Sequence, residues 1–260
     1  MIWTIRDWSR RRVLRRTDTS VAAWRSVWSG LPVLSRVSGS EALRLRELAA
    51  LFIHEKSMEP VAGLVLTSSM RQTMALQACL PVLNLGLGWL DQLASVVVYP
   101  DTFLSEIVEH DEYGVVHNYR EARAGESWQQ GPLILSWTDV EAGTRIDGYN
   151  VVIHEIAHRL DALNGAANGR PPLHRGMAGG VWAEVFTDAF ADFVDRVDAG
   201  EDTAIDPYAS DSPAEFFAVL SESFFEIPCA VASEYPAAYD QLAAFYRQDP
   251  ASNGFGAQAP

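Results

Sequence analysis

Two histidines four residues apart, with a glutamate directly after the first, constrain this chain more than any other feature: His154-Glu155-Ile156-Ala157-His158. At about 100° per residue a helix brings side chains i and i+4 to one face, one turn apart. Both imidazoles can then reach one tetrahedral Zn2+, which takes histidine nitrogens at about 2.0–2.1 Å. Glu155 projects toward the same cleft, where it can hold a water and move a proton. Val151, Val152, Ile153, Ile156 and Ala157 surround the trio with apolar residues. Facing such a core without a partner, two histidines and a glutamate would be costly to bury. The motif therefore calls for a helix from about Gly148 to Leu163, with Asp147 as N-cap and Asn164-Gly165 as its stop.

A catalytic zinc takes a third protein ligand and leaves its fourth position to water. Spacing offers two glutamates on one later helix, Glu215 and Glu222, seven residues apart and on the same face. Ser212-Pro213 supply an N-cap and a first-turn proline for that helix. Tyr208 precedes Glu215 by seven residues and is either a turn residue or a hydrogen-bond donor to a developing oxyanion. Asp161 is three residues past His158, placed to orient a ligand histidine or to pair with Arg159 or Arg170 at the surface. His110, His117 and His174 are structural residues or cleft-lining ones.

The 260 residues suffice for a sizeable core, in one domain or two packed subdomains. Apolar residues at helical spacing cover 41–56, Ser69–Leu80 and Leu83–Ala94, so 1–93 reads as a mostly helical N-terminal subdomain. Ser95–Tyr99 (SVVVY), Val115–Arg123 and Pro132–Trp137 read as strands, opening a catalytic domain over 94–250. Pro132–Trp137 is either interior or an edge along which an extended peptide can pair. Asn164–Gly180 is a long loop, functional or a surface excursion. Helices resume at Val181–Val197, Pro213–Phe225 and Ala237–Arg247, and 251–260 reads as a disordered tail.

Net charge is −14, yet residues 1–16 hold six arginines and one aspartate. The acidic remainder argues against a nucleic-acid partner. The basic start is a solvated arm or a contact for an anionic surface. Cys79 and Cys229 give no disulfide framework. No signal-peptide core and no transmembrane segment is legible, so a cytoplasmic setting is expected.

Four stretches carry a resemblance to a known family: CLPVLNLGLGWLD (79–91), GPLILSW (131–137), NVVIHEIAHRLDALNG (150–165) and SPAEFFAVLSESFFE (212–226). From about Leu43 to Pro250 the chain resembles the Mlc titration factor A family, cytosolic zinc peptidases of bacteria. That family is in turn similar to the catalytic domain of anthrax lethal factor. There the tyrosine precedes the glutamate ligand by seven residues, and the ligand opens an E-F-F-A stretch. Tyr208 and Glu215-Phe216-Phe217-Ala218 reproduce both features. The resemblance thus implies Glu215 as third ligand and Tyr208 as transition-state stabiliser. It implies a zincin-like α+β fold with a small mixed sheet, the motif helix and added N- and C-terminal helices. One Zn2+ per chain is expected on His154, His158 and Glu215, with Glu155 as general base, acting on a peptide or protein substrate. Aminopeptidase activity and binding of a Mlc-like repressor of the glucose phosphotransferase system are further implications. Thermolysin-type enzymes carry an aspartate four residues after the glutamate ligand; here that position is Val219, so support must come from elsewhere. An alternative function is a regulatory protein that sequesters a transcription factor, with proteolysis incidental.

Overall fold

Local signals settle most of the helices. In a computed structural model, which describes residues 5–37, 39–101, 108–110, 116–118 and 131–252, they are α1 (Ile5–Leu14), α2 (Val21–Ser29), α3 (Gly39–Glu55) and α4 (Ser68–Cys79) in the N-terminal part. The rest are α5 (Trp137–Ala142), α6 (Val151–Asp161), α7 (Gly179–Asp198), α8 (Pro213–Glu226), α9 (Pro228–Glu234) and α10 (Pro236–Tyr246). Side-chain caps open several of them: Ser20 accepts from the Ala23 amide and Ser212 from that of Glu215. Prolines occupy the first turns of α8, α9 and α10, where a missing N–H costs nothing.

Three strands, β1 (Ser57–Pro60), β2 (Ser95–Tyr99) and β5 (Leu133–Ser136), form a sheet in the order β1-β2-β5, parallel throughout. Val96 pairs with Met58 and Leu133, and all three are buried. The antiparallel pairing expected of a mixed sheet is found apart from it, between β3 (Val108–His110) and β4 (Val116–Asn118). Small sheet and many helices together make the expected α+β architecture.

Some expectations shift. The helix predicted at Leu83–Ala94 is only a 3-10 turn, Leu87–Leu90, because Gly86 preceding it adopts φ +90, outside the helical region. Strand β1 falls within 1–93, the stretch read as mostly helical. Of the strand predicted at Val115–Arg123, Val116–Asn118 is seen; the rest lies outside the described residues, as does the tail from 253. The basic N-terminal arm is helical, and part of it is docked. Arg10 holds Glu55 through Nε at 2.6 Å, and Arg6 bonds Asp91 and Glu55.

Helix α8 runs through the middle of the core. From Phe216 to Glu226 every residue is buried, which is what a helix covered on all sides looks like. Its aromatic residues meet those of α7 and α10: Phe217 lies edge-on to Trp182 and to Phe245 at centroid distances of 6.0 and 6.1 Å. Such a helix can carry acids only if each finds a partner. Helix α6 packs against it, inserting Val152, Ile153, Ile156, Ala157 and Leu160, none of them exposed.

Candidate metal centre

Helix α6 starts at Val151, three residues later than the sequence suggested. Gly148 sits at φ +93 and cannot be helical, so Asn150 replaces Asp147 as N-cap, its Oδ1 accepting from the Ile153 amide at 3.1 Å. The helix closes at Asp161 with one further 3-10 turn, Ala162–Asn164. His154 and His158 therefore share a face, their rings edge-on with centroids 4.7 Å apart.

Three ligand-type atoms converge there. His154 Nε2 is 3.0 Å from His158 Nε2, and Glu215 Oε2 is 3.2 Å from the first and 3.3 Å from the second. Two bonds of about 2.05 Å at the tetrahedral angle set ligand atoms roughly 3.3 Å apart, so this triangle fits three corners around a zinc-sized ion. Electrostatics agree. Burial acts against a charge on His154, yet Glu215 and Glu222 outweigh it and hold the imidazole up to about 10. Burial would raise Glu215, but His154 and His158 pull it down to about 2. A positive charge is favoured between these groups, whether a proton or a metal ion supplies it.

Glu222, the other glutamate that spacing allowed, faces the opposite nitrogen. Its Oε1 is 2.7 Å from His154 Nδ1, and its Oε2 accepts from the Asn150 amide. Burial raises this carboxyl, against the pull of His154 and of that amide. An acid on Nδ1 fixes the ring's orientation and leaves Nε2 free to ligate. Val219 offers no such contact, in keeping with the expectation that support comes from elsewhere; Glu222, three residues later, places its carboxylate on Nδ1. One turn beyond, fully buried Glu226 accepts from Asn150 Nδ2 at 3.1 Å and from the Gly148 amide at 3.2 Å. Asn150 Nδ2 also reaches Gln77 Oε1 of α4 at 2.7 Å. A chain of buried polar groups thus runs from α4 to His154. Residues 68 to 76 apart in sequence meet in it, so only the Asn150 cap was accessible to sequence reasoning.

Glu155 is half-buried on α6, where its charge acts on His154 and on Arg159. Tyr208 lies on the 3-10 turn Pro207–Ser210, its ring 6.4 Å from that of His154 and 51% exposed. Its amide donates to Asp206 Oδ1, which fixes the turn. Both residues flank His154. Strand β5 is tied to α6 by Arg159, whose Nη2 donates to the Pro132 carbonyl at 2.7 Å. Among the described residues β5 is an edge of its sheet.

The expectation for Asp161 fails here. Asp161 neither orients a histidine nor pairs at the surface: it is fully buried, and its Oδ2 accepts from the Gly169 amide at 2.7 Å. That bond pins the loop 164–180 at Gly169, while most of its residues stay exposed. Gly169 also accepts from Trp182 Nε1 at 2.9 Å, and a Cβ there would come within 2.5 Å of the Pro213 carbonyl oxygen. His174 bonds the Phe245 carbonyl at 2.7 Å and packs on Trp89, a structural role. The side chains of His110 and His117 lie outside what is described.

Residues 5–247 match the family described as Glucose-regulated metallo-peptidase M90. Among curated relatives, "Mlc titration factor A" of Klebsiella pneumoniae (strain 342) is 44% identical over 225 residues, covering 85% of this chain and 84% of the relative. The protein of that name from Enterobacter sp. (strain 638) is 43% identical with the same coverage. That from Yersinia pestis (strain Pestoides F) is 38% identical over 234 residues, covering 88% and 86%. A match over nearly the whole chain, together with relatives this similar, shows that the chain belongs to the glucose-regulated metallo-peptidase M90 family.

Proposed function

We propose that this chain is a zinc-dependent aminopeptidase whose His154, His158 and Glu215 hold one Zn2+. The observation that carries the reading is the triangle of 3.0, 3.2 and 3.3 Å among two imidazole nitrogens and a carboxylate oxygen. A zinc ion in that place supplies Lewis acidity, polarising a carbonyl and bringing the pKa of a water toward neutrality. Glu155 takes the proton of the attacking water and passes it to the leaving amine. Tyr208 donates its hydroxyl to the oxyanion; its exposure and its place beside His154 support that reach. Glu222 keeps the His154 ring aimed at the ion. The outer edge of β5 pairs with the backbone of an extended substrate. The cytoplasm is the setting proposed, where Cys79 and Cys229, both unpaired, remain thiols.

The test is Glu155→Gln. It keeps the ligands and removes the base, so zinc stays bound while hydrolysis of a peptide library falls by about 10²–10⁴-fold. Undiminished hydrolysis would overturn the mechanism. The relatives' name supports a second role, binding a Mlc-like repressor. Retention of that binding by Glu155→Gln would separate it from proteolysis.

A further inference from the structure

Helix α7 presents its apolar face to the core through Trp182, Phe186 and Phe193. Along its outer side Glu184, Asp188 and Asp192 follow at intervals of four, forming one exposed acidic row over about 12 Å. Like charges at this spacing repel and weaken a helix. At one end of the row the charge is answered. Asp192 accepts from the Tyr235 hydroxyl at 2.9 Å, and Arg196 pairs with nearby Glu234 at 3.1 Å. Among the described residues Glu184 and Asp188 have no such partner.

Between this row and the start of α10 lies an open groove of about 400 Å³. Its apolar lining is Val185 and the buried Ala189 of α7, the buried Tyr235, and Pro236, Ala237 and the buried Ala238 of α10. Apart from Tyr235, whose hydroxyl is held by Asp192, these side chains are short and leave room for another chain segment. No residue of the histidine–glutamate cluster takes part in it.

We propose that this groove docks an amphipathic helix of a protein partner, one with a narrow apolar stripe flanked by lysines or arginines. The stripe covers Val185, Pro236 and Ala237, and the basic residues, four apart, meet Glu184 and Asp188. Shape sets the width of the stripe and the uncompensated acids set the sign of its flanks. The inference concerns a surface separate from the metal chemistry and holds whatever that chemistry is.

A labelled helical peptide of about 15 residues, leucines and alanines on one face and arginines beside them, is the probe. Binding to the full chain is followed by fluorescence anisotropy over a range of salt. The double variant Glu184→Lys/Asp188→Lys should weaken it about tenfold or more and flatten its salt dependence. Glu59→Lys/Asp202→Lys, reversing two exposed acids elsewhere, should change it by less than about twofold. Ala237→Trp fills the groove without altering charge and should also cost about tenfold. Thermal melts confirm that each variant folds. Equal losses from both double reversals would show only attraction to an acidic protein, and an unaffected Ala237→Trp would show that the groove is not used. Either result overturns the proposal. So would self-association of the wild-type chain that Glu184→Lys/Asp188→Lys abolishes, since that would give the groove to the arginine-rich α1 of a second copy.

Discussion

At the first turn of α8, Glu215 stands between two imidazoles and, against the upward push of burial, is drawn down to about 2. Three turns later Glu226 is enclosed by the Asn150 amide group and the Gly148 N–H; burial wins there and lifts it to about 7. The residues are chemically identical and share one helix. What differs is whether a cationic partner is present, and dipoles alone do not replace it. One end of α8 is thus shaped to share a positive charge, and the other to hold an acid's proton well above the ordinary carboxylate range. Glu222 lies between them in sequence and in role, joining the Asn150 backbone to His154.

The two acids should part most visibly at Glu215. Glu215→Gln removes a proposed ligand and its charge, so zinc affinity should fall on the order of a thousandfold, about 4 kcal/mol, in a competition titration with a chelator. Glu226 should behave in the opposite sense. Below about 4.5 both the folded and unfolded chains carry its proton; between about 4.5 and 7 only the unfolded chain releases it. Its contribution to stability therefore declines as pH rises through that window and levels off above it, by about 3 kcal/mol in all. Glu226→Gln mimics the neutral acid, so its stability relative to wild type should rise by that amount between those pH values in denaturant unfolding. Glu222→Gln sharpens the contrast, since it keeps all three proposed ligands and alters only what holds His154. Zinc affinity should drop about 10–100-fold, or about 1.4–2.7 kcal/mol, in the same titration.

What the sequence disclosed about this helix pair follows the range of each interaction. His154, Glu155 and His158 are fixed by helical periodicity within five residues, and they lie where periodicity puts them. Glu215 and Glu222 are two turns apart on one face, so spacing could not divide them. The division depends on where α8 crosses α6, presenting one acid to the Nε2 atoms and the other to Nδ1. Resemblance to a family pointed to Glu215; nothing in the sequence pointed to Glu222 as support. Asp161 misled because its proximity to His158 along the chain is real, while its partner, Gly169, is set by the path of the following loop. In the fold, periodic helices were recognised and β1 was not. Only one of its four side chains is buried, so it shows no alternation, and its partners in the sheet are remote in sequence.

Zinc-edge X-ray absorption on the purified full chain, with metal content measured alongside, decides whether α6 and α8 clasp one divalent ion. One zinc per chain is expected, with only nitrogen and oxygen neighbours near 2.0–2.1 Å and the scattering signature of two imidazoles, reduced to one in His158→Ala. Sulfur neighbours from Cys79 or Cys229, or a spectrum that His158→Ala leaves unchanged, would contradict it.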